Sequence, residues 1–448
     1  MFLFVHPYKK IRILMKLTRF LLSVGLLCAP LSLSAQSGSY SGELNVMGTK
    51  LPLVFHFSPE GCTMDSPKQG VKGIKAEWMP SSSGEVKITI TMIGASYEGK
   101  LTADNQIEGN FMQAGMKFPL LLKAGMEKGP KRPQTPQPPF PYTSEEVTFK
   151  NGTVSLNGTL TLPANYTKNT PAVVLVTGSG QQNRDEELFL HRPFAVIADA
   201  FARNGIATLR YDDRFYGDAS AVFSNYTTQD FTEDAACAIQ FVRQRFNKVG
   251  VLGHSEGGAI ALLLAADKKV DFVVSMSGMV ASGRETLLQQ NNDMLHAMTN
   301  LPDDIINAYL QAFGEGLDGI IAGKKPEEIA LPEMLPASMT QSFQTAMKQA
   351  ANPWFRYFLQ VNPSAVLGKI SCPVLAIGGK KDLQVNSAQH LGLLEKGLKG
   401  KGHKIVDLPD LNHLLQHCQK GTVDEYGEIE ETISPEALQI MVDWLKEQ

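Results

Sequence analysis

Apolar and polar residues alternate in short runs through residues 36–125, as in Leu51-Pro52-Leu53-Val54-Phe55-His56-Phe57 and Val86-Lys87-Ile88-Thr89-Ile90-Thr91-Met92. A period of two turns one face of each run toward a core, the mark of half-buried strands. Gly94, Gly99 and Gly109 recur at turn-like spacing around Tyr97. The stretch therefore predicts a small all-β domain, an antiparallel barrel or sandwich. Within it Asp65-Ser66-Pro67 reads as turn chemistry and His56 as a strand-face histidine. Prolines 130, 133, 136, 138, 139 and 141 follow. Proline fixes φ and removes backbone donors, so residues 126–142 predict an extended linker.

From residue 143 the pattern changes. Residues 143–162 read as a hairpin turning at Asn151-Gly152. Continuous apolar runs then appear at Ala172–Val176, Ile206–Leu209, Val249–Gly253, Phe272–Met276, Val374–Ile377 and Ile405–Leu408. Between them, Pro193–Asn204 and Thr228–Arg245 carry apolar residues at helical spacing. Buried strands separated by helices predict a mostly parallel sheet covered on both faces, an α/β fold. Residues 281–366 interrupt that alternation and read as helices cut short by Pro302, Pro326, Pro332, Pro336 and Pro353. They predict an inserted helical cap over the sheet edge, within a domain spanning 143–448.

Residues 1–35 stand apart from both patterns. Lys9, Lys10, Arg12, Lys16 and Arg19 precede an apolar run from Phe20 to Leu33, and Ala35 closes it. This is the layout of a secretory signal peptide, too short for a membrane span and carrying Pro30 inside it. Met15 offers a second start, and Leu27 before Cys28 argues against a lipoprotein site. Removal leaves 37 basic against 45 acidic side chains. The expectation is an exported protein with no stable membrane anchor after cleavage. That acidic balance offers nothing to neutralise phosphates, so nucleic-acid binding is not expected. Cys62, Cys237, Cys372 and Cys418 are scattered without a CxxC pair, too sparse for a disulfide scaffold.

One constellation carries chemistry. Gly253-His254-Ser255-Glu256-Gly257-Gly258 follows an apolar strand and opens a helix-forming run. GxSxG in a strand–turn–helix context is a nucleophile elbow, in which glycines let strand and helix close around an exposed serine. A serine needs a base, and the base an orienting acid, in the chain order Ser, acid, His. Asp382 ends the loop after the strand Val374–Ile377, and His413 follows the last strand. Chemistry collects outside the carboxyl ends of parallel strands, so both should converge on Ser255. His417, Asp407 and Asp410 are rivals. The expected oxyanion donors are the backbone N–H of Glu256 and that of Ser179 or Gln181, in the loop 177–185. The Glu256 side chain reads as a salt-bridge partner or as a pocket wall favouring cationic or polar groups. Tyr211-Asp212-Asp213-Arg214 reads as a buried ion-pair corner. His413 and His417 have helix-like spacing but no further ligands, so no metal is expected. Gly178-x-Gly180 lacks the rest of a phosphate cradle, so no cofactor is expected either.

Taken together, Thr177-Gly178-Ser179-Gly180, Arg184-Asp185-Glu186, Tyr211-Asp212-Asp213-Arg214, Gly253–Gly258, Pro353-Trp354-Phe355-Arg356-Tyr357-Phe358 and Gly378-x-x-x-Asp382-x-Gln384-Val385 are specific. On these residues the region from about 143 to 448 resembles the α/β-hydrolase superfamily. Its nearest likeness is to esterase D-like or serine aminopeptidase S33-type hydrolases of bacteria. The resemblance implies an α/β-hydrolase fold, a Ser255–His413–Asp382 triad and hydrolysis of a small-molecule carboxylic ester through an acyl-enzyme. It implies a periplasmic or extracellular location in a bacterium once export is added. Gln181 and Asn183 depart from the pattern, as does Phe215-Tyr216-Gly217. The same triad would serve a peptidase or an acyltransferase, and a binding protein with an inactive hydrolase domain is the alternative from another class. Trp354, Phe355 and Tyr357 are the candidate pocket residues, beside flexible Met294, Met298, Met334, Met339 and Met347.

Overall fold

The computed structural model describes residues 38–46, 49–58, 61–67, 71–80, 84–113, 115–125, 131–218, 221–298, 301–331 and 337–448. The signal-peptide assignment at 1–35, Pro130, Pro332, Pro336 and Met334 lie outside these residues. The described chain forms two compact units.

The first unit is a closed eight-stranded barrel. Its strands are β1 (Gly38–Val46), β2 (Thr49–Ser58), β3 (Gly61–Ser66), β4 (Val71–Pro80), β5 (Glu85–Ile90), β6 (Ala95–Leu101), β7 (Gln106–Gln113) and β8 (Met116–Ala124). Each pairs antiparallel with the next, and β1 closes on β8 through Tyr40 and Ala124. Alternation sends Phe55, Phe57, Ile88, Ile90 and Tyr97 into a shared core. Gly94 does lie in a turn, at φ 59°. Gly99 and Gly109, expected in turns, instead face each other across β6 and β7. A Cβ on Gly99 would meet the Tyr97 hydroxyl at 2.7 Å, and one on Gly109 would meet it at 2.6 Å. The glycines make room for that phenol, which donates to the carbonyls of Ile107 (2.9 Å) and Leu120 (3.1 Å). Asp65 is likewise not in a turn. It lies within β3 and binds His56 Nε2 at 2.9 Å, while His56 Nδ1 meets Ser39 Oγ at 2.8 Å.

The second unit is built on an eight-stranded sheet. It opens with the hairpin β9 (Thr143–Asn151) and β10 (Val154–Leu162). Asn151 is the last strand residue, so the two-residue loop is Gly152-Thr153, with Gly152 at φ 56°. The remaining strands are β11 (Ala172–Val176), β12 (Ala207–Tyr211), β13 (Val249–His254), β14 (Val273–Met276), β15 (Val374–Gly379) and β16 (Lys404–Leu408), all parallel to one another. The order across the sheet is β9-β10-β12-β11-β13-β14-β15-β16. Helices cover both faces: α1 (Pro193–Arg203), α2 (Thr228–Arg243), α3 (Glu256–Ala266) and α8 (Ser387–Gly397) are joined by the last helix, α9 (Pro435–Lys446). The period of two divides β11 between two cores. Val174 and Val176 pack toward α2, α3 and α8, whereas Val173 and Leu175 pack toward α1 and α9.

Between β14 and β15 run α4 (Gly283–Met298), α5 (Asp303–Ile321), α6 (Ala337–Ala350) and α7 (Pro353–Gln360). Tyr309, Phe313, Phe343, Met347, Trp354 and Phe358 join Ala259 and Met279 in one cluster. The two ends of this cap meet, because the Gly283 N–H donates to the Val361 carbonyl at 3.0 Å. No helix among the described residues is long and apolar enough to cross a membrane. Cys62, Cys237, Cys372 and Cys418 are free thiols.

Candidate active site

β11 is flanked by β12 on one side and β13 on the other, so the connections leaving the carboxyl ends of β11 and β13 diverge and leave a crevice there. Ser255 stands between β13 and α3 with φ 55° and ψ −117°, a strained backbone for a residue with a side chain. The elbow needs its glycines. A Cβ on Gly253 would run into the Gly257 carbonyl, and one on Gly257 into the carbonyls of Val176 and Thr177. The Ser255 carbonyl is fixed from two sides, by the N–H of Gly258 (3.0 Å) and of Met279 (2.9 Å). As first residue of α3, Glu256 has an N–H without an intrahelical acceptor.

Asp382 follows β15, and two backbone N–H groups, those of Gln384 and Val385, each donate to its Oδ1 at 2.8 Å. Its Oδ2 receives the Nδ1–H of His413 at 2.8 Å. With its Nδ1–H committed to Asp382, His413 keeps a lone pair on Nε2. Asp382 is 2% and His413 4% exposed. The loop after β16 is held from below. Asn412 Oδ1 accepts from the N–H groups of Leu414 and Gln416, and Gln416 reaches His191, which meets Thr432. The structure contains no hydrogen bond between Ser255 and His413, a contact that often tightens only with substrate bound. The rivals sit elsewhere: His417 is paired with Glu431 on the surface, and Asp410 with Lys381. Asp407 makes no hydrogen bond to His413 and its Oδ1 is buried without a partner.

In the loop 177–185, the Gly178 N–H donates to Glu186 Oε1 (2.8 Å) and the Gln182 N–H to Asp213 Oδ2 (2.7 Å). The N–H groups of Ser179, Gly180 and Gln181, between those two tied positions, meet no acceptor and are free to donate. Glu256 makes no salt bridge, against that half of the sequence expectation. Its carboxyl accepts from the hydroxyls of Ser179 and Thr228, each at 2.7 Å. Burial raises its pKa, and the two hydroxyls and nearby Trp354 indole oppose that shift. The Trp354 N–H itself is buried without a hydrogen-bond partner. Glu256 and Asp213 line a small pocket with Thr177, Phe223 and Phe231.

The 211–214 corner does carry ion pairs, and they run to residues outside it. Asp212 binds Arg184 at 2.7 Å, and Arg214 binds Asp234 and Asp230. Asp213 accepts from the Thr177 hydroxyl at 3.0 Å, and burial pushes its pKa up to about 8. Of the candidate pocket residues, Trp354 and Phe355 are buried within the cap cluster, whereas Tyr357 is exposed and reaches Gln229.

Glu186 and His254 stand in sequence motifs but had no role assigned from sequence. His254 Nδ1 lies 2.9 Å from Glu186 Oε1, its Nε2 lies 3.1 Å from the His413 carbonyl oxygen, and the two imidazoles are 4.6 Å apart. His254 adjoins Ser255 in GxSxG, the one signal that could have marked it.

Esterase EstD of Thermotoga maritima is 28% identical over 301 residues, a match covering 64% of this chain and 66% of that esterase. Among solved structures, Est1E from Butyrivibrio proteoclasticus aligns over 67% of this chain and 99% of its own at 15% identity, with a TM-score of 0.38. A proline iminopeptidase of Mycobacterium smegmatis aligns over 68% and 98% at 16% identity, with a TM-score of 0.43. Likenesses of that size say nothing of substrate. Residues 171–417, more than half of the sequence and the stretch that carries Ser255, Asp382 and His413, match the alpha/beta hydrolase fold, and the chain belongs to that family.

Proposed function

We propose that this protein is an exported serine esterase acting on small-molecule carboxylic esters through a Ser255–His413–Asp382 triad. The observation that carries the reading is the buried His413–Asp382 hydrogen bond at the sheet edge where the strained Ser255 elbow stands. In the first step Ser255 Oγ attacks the ester carbonyl while His413 Nε2 takes its proton. The oxyanion faces the Glu256 N–H and an N–H from Ser179, Gly180 or Gln181. Collapse expels the alcohol, which takes the proton from His413 and leaves Ser255 acylated. A water then attacks the acyl carbon, gives its proton to His413, and the acid departs as Ser255 recovers its proton. No cofactor enters this scheme. The similarity to an esterase supports the ester as the bond cleaved, and the leader-like residues 1–35 support export to the periplasm or beyond.

The test has three arms. A fluorophosphonate probe should label the wild-type protein once, and Ser255→Ala should abolish labelling and lower ester turnover by at least about 10³-fold with an unchanged circular dichroism spectrum. Turnover is then compared on short- and long-chain acyl esters beside amino-acid and dipeptide anilides. Esters should be preferred; hydrolysis of the anilides alone would make the protein a peptidase. N-terminal sequencing of the protein recovered from the exported fraction should begin near residue 36.

A further inference from the structure

Nothing in the triad requires a second histidine beside the first, yet His254 is fully buried against His413. Its surroundings fix its protons. The Nε2 atom faces the His413 carbonyl, which can only accept, so Nε2 carries hydrogen. The Nδ1 atom faces Glu186 Oε1, an oxygen that already receives the Gly178 N–H. An oxygen accepting from two sides is best met as a carboxylate oxygen, which puts the remaining hydrogen on Nδ1. The other oxygen, Oε2, is buried without any partner, so His254 is the cation that neutralises Glu186. The charged groups around the ring are Glu186 and, across His413, Asp382. Burial alone would favour the neutral ring, but the Glu186 charge and hydrogen bond outweigh it and the pKa of His254 is raised.

The pair touches both halves of the machinery. Gly178 is wedged at the elbow, where a Cβ would meet Ser255 Cβ at 3.1 Å, and Glu186 holds its N–H. Through that bond Glu186 sets the course of the backbone into Ser179, Gly180 and Gln181. Through the opposite ring nitrogen His254 holds the carbonyl of the residue that would serve as base.

We propose that His254 and Glu186 form a charged positioning pair that fixes the oxyanion loop and the His413 loop relative to Ser255. The proposal rests on the serine-hydrolase reading above and adds two residues to it. Neither touches the reacting atoms; each acts through a backbone group of a residue that does.

Histidine 15N–1H spectra of the intact protein, taken just above the pH at which an ordinary imidazole loses its proton, provide a readout that a merely structural role would not move. One ring, absent from the spectrum of His254→Gln, should show both nitrogens protonated, where an ordinary histidine is neutral. A His254 ring with a single protonated nitrogen overturns the proposal. Glu186→Gln removes the charge and keeps the shape. It should lower kcat and the rate of probe labelling by about 10- to 100-fold while KM moves less than about twofold, since small misplacements of reacting groups cost that much. Glu186→Asp, which keeps the charge at a shorter reach, should recover part of the loss. A folded Glu186→Gln protein that labels at the wild-type rate overturns the pair's role. If Glu186→Gln fails to fold, the ring spectrum and the Glu186→Asp split between kcat and KM decide alone. Failure of the wild-type protein to label would instead defeat the serine-hydrolase reading, so the two failures are told apart.

Discussion

At the scale of single residues, the environment of each carboxyl assigns its work. Asp382 meets three hydrogen-bond donors, one of them the His413 ring, and so can orient that imidazole. Asp382→Asn should keep the fold but favour the wrong imidazole tautomer, lowering kcat by about 10⁴-fold, as measured by steady-state ester hydrolysis. Asp213 is the opposite case. It is buried with only two donors, and its pKa climbs from the ordinary 3.8 to about 8. The folded state therefore holds a proton there that the unfolded chain releases near pH 4. Stability from this group is in place below that point and is lost as pH rises through about 8. Asp213→Asn cannot ionise, and its urea midpoint should fall less between pH 5 and pH 8 than that of the wild type. Parallel declines in the two proteins would refute this account. Ser255, Asp382 and His413 were legible in the sequence because each sits where a strand ends, in the order that parallel topology demands. The pairing of Glu186 with His254 was not, because the two meet across 68 residues of chain and the motifs that hold them do not name each other.

Between residue and fold lies the element, where the glycines of the elbow act on whole strands and helices. Gly257 lets α3 start against the carbonyls at the end of β11, so Gly257→Ala must push helix and strand apart. It should destabilise the protein by about 3 kcal/mol or more, seen as a lower denaturation midpoint, with labelling lost in step. The barrel's Gly99 and Gly109 show why glycine is hard to read. A turn and a close approach use the same residue, and only the tertiary contact with Tyr97 separates them. Element boundaries in the sheet were otherwise readable to within a residue or two, because continuous apolar runs leave little freedom. The cap is the less legible part: its helices pack on one another, so Trp354 and Phe355 look alike whether they line a pocket or fill a core. Trp354 lies in that core with its indole near Glu256. Trp354→Ala should therefore change the preference among acyl chain lengths more than the labelling rate of Ser255, measured on an ester series. An unaltered profile with lower stability would make it a core residue alone.

On the scale of the whole molecule, the two units carry separate cores, and Ser255, Asp382 and His413 all lie in the second. The segment that opens the second unit is stitched to it: Gln134 donates to the Ile433 carbonyl at 2.7 Å and accepts from the Ile433 N–H at 3.1 Å. A fragment of residues 131–448 should accordingly fold and label with the fluorophosphonate probe at a rate within about threefold of the intact chain, whereas one starting at 143 discards those bonds. A folded fragment without labelling would show that the barrel contributes to the reaction. Charge was readable at this scale too, though only as a bound on partners, since it is a sum that topology does not alter.

The cap begins and ends at one point, where the Gly283 N–H meets the Val361 carbonyl and the Ser364 N–H meets the Val280 carbonyl at 2.9 Å. A segment tied off in this way is topologically a loop, however many helices it contains. The sheet's register on either side is set by pairing of β14 with β15, which does not depend on what the excursion holds. The excursion can therefore be exchanged, lengthened or deleted while Ser255, Asp382 and His413 keep their places. On the triad reading, trading that one self-contained piece would change the substrate and leave the chemistry as it is.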